Sequence, residues 1–80
     1  MKITKVVVLQ SYGTDTVSLY TDYPCPFVPE YDESPLCLTF STTKGVGVDY
    51  VRENFGVEPE IIDVQRGGII QEWKSEPVEI

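Results

Sequence analysis

The 80-residue sequence contains no histidine and only six basic residues, four lysines and two arginines. Lacking histidine, it lacks the side chain that most often moves protons near neutral pH and the commonest ligand for transition metals. Cysteine is almost as scarce: Cys25 and Cys37 are two thiols in a chain without imidazole, too few for a zinc site. No cofactor and no metal are therefore expected. Neither cysteine has a cation close by in sequence to hold a thiolate, so both read as structural thiols, reduced in a cytoplasmic setting or, if oxidised, paired to close the proline-rich loop between them.

Basic charge is missing in a patterned way. Between Val6 and Thr43 there are five acids (Asp15, Asp22, Glu30, Asp32 and Glu33) and no lysine or arginine, and the whole chain carries −7. A nucleic-acid binder neutralises phosphates with clustered cations, so direct binding to DNA or RNA is excluded as an expectation. Long apolar runs are missing too. The longest, Val6-Val7-Val8-Leu9, has four residues, against about seven for a signal core and about twenty for a membrane span. The expected location is the cytoplasm (of a host cell, if the chain is viral), with no membrane contact.

What is present reads as one small α+β domain over residues 1–74, with an acidic tail at 75–80 expected to fray. Ile3 to Gln10 is a β-branched run suited to a central strand. A turn at 11–15 leads to Thr16–Tyr23, which alternates Val17, Leu19 and Thr21 against Ser18, Tyr20 and Asp22. Leu36–Thr42 is a third strand. Thr42 or Thr43 offers an N-cap and Gly56 a C-terminal glycine for one helix, whose stripe Gly47, Val48, Val51 and Phe55 should lie on the sheet. Val46 and Tyr50 project elsewhere. Glu60–Gln65 is a fourth strand, and Gly67-Gly68 predicts a two-residue hairpin to Ile69–Trp73. That register sets Ile62 opposite Trp73 and Asp63 opposite Glu72. The architecture is β-β-β-α-β-(β), an antiparallel or mixed sheet with one helix packed on one face.

Motifs for chemistry are weak. Thr42-Thr43-Lys44-Gly45-Val46-Gly47 precedes the helix, but its lysine comes before the first glycine, unlike a Walker loop, and Tyr50 stands where a dinucleotide fingerprint needs a third glycine. It reads as a strand-to-helix joint. An Asp63/Glu72 pair could share a proton or a divalent cation, yet two carboxylates are a thin ligand set.

The most informative segment is 24–35. Pro24, Pro26, Pro29 and Pro35 preclude regular structure. Phe27, Val28 and Tyr31 could cover a sheet edge. Alternatively, together with Glu30, Asp32 and Glu33, they form a preorganised recognition loop in which aromatics anchor and acids complement a basic surface. On the second reading the partner-binding residues are Tyr20, Asp22, Phe27, Glu30, Tyr31, Asp32, Glu33 and Tyr50.

In size, negative charge and want of catalytic groups the chain resembles the small inhibitor and adaptor proteins encoded by bacterial viruses, anti-restriction and anti-CRISPR proteins among them. The likeness rests on no motif and assigns no residue a role. Three functions follow as expectations. The first is a non-enzymatic module that engages a basic, nucleic-acid-handling protein. The second is an assembly protein that oligomerises through Val46/Tyr50 and the last hairpin, with a homodimer as its simplest form. The third is a small ligand carrier or enzyme.

Overall fold

The computed structural model describes residues 2–22 and 36–79. They form β1 (Lys2–Ser11), β2 (Thr14–Thr21), β3 (Leu36–Thr43), α1 (Val46–Phe55), β4 (Glu60–Asp63), β5 (Gly68–Gln71) and β6 (Val78–Glu79). The strands make one mixed sheet in the order β3-β2-β1-β4-β5, with β6 beside the start of β1. β1 runs antiparallel to β2 and parallel to β4, so the segment carrying α1 is a crossover that returns the chain to the far side of β1. The α+β expectation holds, with the sheet mixed.

β1 is central, which accounts for its unbroken apolar run. A bulge between Ile3 and Lys5 shifts its face parity, so Ile3, Val6 and Val8 all reach the core while Lys5, Val7 and Leu9 face the other way. On β2, strict alternation buries Asp15, Val17, Leu19 and Thr21. The core is completed by Val48 and Val51 from α1 and by Val57 and Ile61, with Phe40, Phe55, Trp73 and Val78 packed around it. The expected helix stripe lies on the sheet, as its spacing requires.

Three local expectations are corrected. The strand predicted to run to Gln65 stops at Asp63, whose carboxylate accepts from the N–H groups of Gln65 and Arg66 and starts a 3-10 turn over Val64–Arg66. A side chain bonding its own backbone competes with the ladder at that point. Gly67, in the left-handed conformation at φ 87°, closes this longer turn. Ile62 consequently faces Ile69 and Asp63 faces Gly68, so neither the Ile62–Trp73 nor the Asp63–Glu72 pair forms. Second, Thr42 and Thr43 belong to β3 and cap nothing. The cap position falls to Gly45, which has no side chain to serve. Third, within the expected frayed tail, Val78 and Glu79 pair with Ile3 and Lys2, because Val78 has a place against the core.

Candidate functional site

One rung of the sheet carries most of its buried polarity. Register aligns Thr42, Asp15, Gln10, Asp63 and Gly68 across the five strands, at the end where α1 begins. Asp15 is fully buried, and its Oδ2 accepts from the N–H of Gly45 at 2.9 Å and of Val48 at 3.2 Å. These donors belong to the helix start and would otherwise be orphaned. A carboxylate borne on β2 thus supplies the N-cap that the residue before the helix cannot. The approach requires Gly47: a Cβ there would lie 2.7 Å from Asp15 Cβ and 2.9 Å from Val17 Cγ2. Helix N-termini favour anions, and the Asp15 carboxyl group already occupies this one. The glycine-rich motif therefore reads as a joint. The Asp15 role was missed in the sequence, although its parity with Val17 and Leu19 places it on the core face.

Asp63, also buried, receives Lys44 Nζ at 3.4 Å and Arg66 Nε at 3.9 Å, while the same ammonium donates to Gln65 Oε1 at 3.2 Å. Burial alone would raise its carboxyl pKa. The Lys44 ammonium and the N–H groups of Gln65 and Arg66 outweigh that and hold it below the ordinary 3.8. A depressed folded pKa contributes stability above the unfolded value, and that contribution disappears as pH falls through the folded one. Asp63→Asn is therefore expected to be less stable than wild type at neutral pH. The gap should close on acidification below 3.8. Urea titrations across that range measure it, and a gap that stayed constant would count against the ionic role. Lys44 N–H also donates to Gly13 O at 2.8 Å, tying the joint to the tip of the first hairpin.

Among the described residues, no three His, Cys, Asp or Glu side chains gather as a metal site would need. Both buried carboxylates are occupied with fold contacts, and Glu72 stands apart from Asp63.

The sheet face opposite α1 is different in character. Lys5, Val7, Leu9, Ile62 and Ile69 occupy it on β1, β4 and β5, and Thr16 and Ser41, 3.2 Å apart through their hydroxyls, occupy it on β2 and β3. Leu9 and Ile69 remain 38% and 57% exposed. An open depression of about 530 Å³ is lined by Thr4, Lys5, Val7, Tyr20, Glu60 and Ile62, with Lys5 Nζ and Glu60 Oε2 paired across it at 3.5 Å.

The predicted contact residues divide accordingly. Tyr20 borders this depression. Asp22 lies just beyond the end of the same strand, its Oδ1 accepting from Lys2 N at 2.8 Å, a bond that lowers its pKa. Tyr50 sits on the other side of the sheet, edge-on to Phe40 at 5.3 Å and to Phe55 at 5.9 Å. Tyr20 and Tyr50 therefore do not share a surface. Phe27, Glu30, Tyr31, Asp32 and Glu33, like Cys25, lie outside the described residues; Tyr20 and Leu36, on either side of them in sequence, are ladder partners. No helix among the described residues is long and apolar enough to cross a membrane. Searches with protein-family models, among curated proteins and among solved structures return no match to this chain.

Proposed function

We propose that the chain is a non-enzymatic protein-binding module that engages a basic surface on a nucleic-acid-handling partner. It would act as an inhibitor or adaptor of the kind bacterial viruses direct against host CRISPR or restriction enzymes. The observation that carries this reading is the Tyr20–Leu36 rung. It brackets, in sequence, an acid-rich, aromatic segment with no base in it, and it borders the sheet face opposite α1. Segment acids steer association with a basic partner, and Tyr20 and its apolar neighbours supply contact area once the two meet.

The buried carboxylates support the non-enzymatic side of the proposal. Asp15 Oδ2 accepts from two backbone N–H groups of the helix start, and Asp63 accepts from two more and pairs with Lys44, so both carboxyl groups serve the fold.

The test is capture from cells with the tagged chain at low and high salt, followed by kinetics on the purified pair. Recovery of a basic nucleic-acid enzyme that elutes at high salt is the expected result. Reversing Glu30, Asp32 and Glu33 to lysine should slow association about 10-fold or more and flatten its salt dependence, while Tyr20→Ala should chiefly speed dissociation. Unchanged association by the triple variant would refute the electrostatic reading.

A further inference from the structure

We infer that the outer edge of β3, with which no described residue pairs, pairs with β3 of a second copy of this chain, making a symmetric dimer with one continuous sheet. β3 is the terminal strand of the order, and among the described residues only β2 pairs with it. From Leu38 to Thr43 it keeps regular register with β2, and Leu36–Thr43 contains no charged residue and no proline. Solitary proteins commonly protect such an edge with lysine, proline or a bulge along it. Here the one bulge lies at the strand's first residues, leaving Leu38–Thr43 as an open template.

The helix gives the reason to choose a second copy over another strand. α1 follows β3 through Lys44 and Gly45 and contacts both β2 and β3, so it lies toward this edge of the sheet. An antiparallel β3–β3 pair has its two-fold axis perpendicular to the sheet, which sets both copies of α1 on one face of the joined sheet, on either side of that axis.

The facing ridge suits that contact. Val46, Tyr50 and Asn54 recur every four residues, and the Tyr50–Phe40 ring contact turns this ridge toward β3. Leu38, Val46 and Tyr50 are 47%, 50% and 41% exposed in the single chain, and all three would be covered. Asp49 projects farther round the helix, and Glu53, seven residues after Val46, borders the ridge on its solvent side. For a chain of net charge −7, like copies approach most easily where acids are absent, and Leu36–Thr43 contains none.

The experiment is sedimentation equilibrium of the full chain over a dilution series, at low salt and in about 1 M salt, where charge effects are screened to a few ångström. The expected species has twice the 9.0 kDa of one chain and persists in salt. Thr39→Lys, on the exposed edge, and Asn54→Glu, on the ridge, should each weaken dimerisation about 10-fold or more, a change of about 1.4 kcal/mol, with circular dichroism unchanged. A wild-type chain that stays monomeric throughout, or a dimer indifferent to both substitutions, overturns the inference. So does a dimer that dissociates in high salt. None of these outcomes bears on the basic-partner reading, which is scored by capture.

Discussion

Asp15→Ala is expected to destabilise the chain by about 3 kcal/mol, the largest loss from a single side-chain truncation at the strand-end rung. Two N–H donors at the start of α1, on Gly45 and Val48, lose their shared acceptor. An orphaned buried donor costs about 1–3 kcal/mol. Part of this is offset because Asp15 Oδ1, buried without a partner among the described residues, disappears with the same substitution. A domain of this size rarely holds more than about 3–5 kcal/mol, so the variant should be largely unfolded at 37 °C, with its Tm lowered by about 12–24 °C. Asp15→Asn keeps an acceptor oxygen for the two N–H groups but sets its NH2 where Oδ1 lies buried, an unsatisfied donor that costs about 1 kcal/mol. Thermal and urea unfolding compare the two variants. Equal losses would mean that the hydrogen bonds to Gly45 and Val48 contribute little.

Gly47→Ala should destabilise by about 2 kcal/mol, although alanine is the better helix former by about 1 kcal/mol. The added methyl would meet Asp15 Cβ at 2.7 Å and Val17 Cγ2 at 2.9 Å. Both atoms sit at or next to the backbone of β2 and cannot swing aside, so the overpacking cost of about 1–3 kcal/mol applies in full. Gly47→Val should prevent folding. Alanine at the exposed Glu53, by contrast, should change stability by less than about 0.5 kcal/mol. Because the closest atom is the Cβ of Asp15, which Asp15→Ala retains, combining the two alanine substitutions should give no rescue. Recovery of stability in the double variant would show that the carboxylate, and not the strand beneath it, limits the approach of α1.

These two residues also show where sequence reading stopped. The alternation of Val17, Leu19 and Thr21 and the stripe of Gly47, Val48, Val51 and Phe55 are short-range periodicities, and both were legible. The cap was not, because cap rules look at residues adjoining the helix, whereas Asp15 reaches Gly45 from thirty positions earlier. Thr42 and Thr43 satisfied the local rule and were claimed by the ladder with β2 instead. At the last turn the error ran the other way. Gly67 is turn material as the sequence suggests, but Gly68 opens β5, and Asp63 bonds Gln65 and Arg66 locally and ends the strand early, which shifts every pairing after it. Of the candidate contact surface, Tyr20 on an outward parity was legible from alternation. That Tyr50 lies across the sheet from it depends on which face α1 covers, and a single helix stripe carries no such information.

The borrowed cap also bears on the order in which the chain can assemble. With ten residues, α1 is shorter than the roughly 12–15 at which isolated helices become even marginal in water, and its first turn is completed by a side chain from the opening hairpin. The helix has no autonomous beginning. A fragment starting at Leu36 should show almost no helical dichroism, and adding residues 2–22 in trans should restore some of it. The first hairpin is therefore expected to close before the crossover consolidates, with the long-range docking of α1 onto β2, rather than helix growth, as the slow step in refolding kinetics.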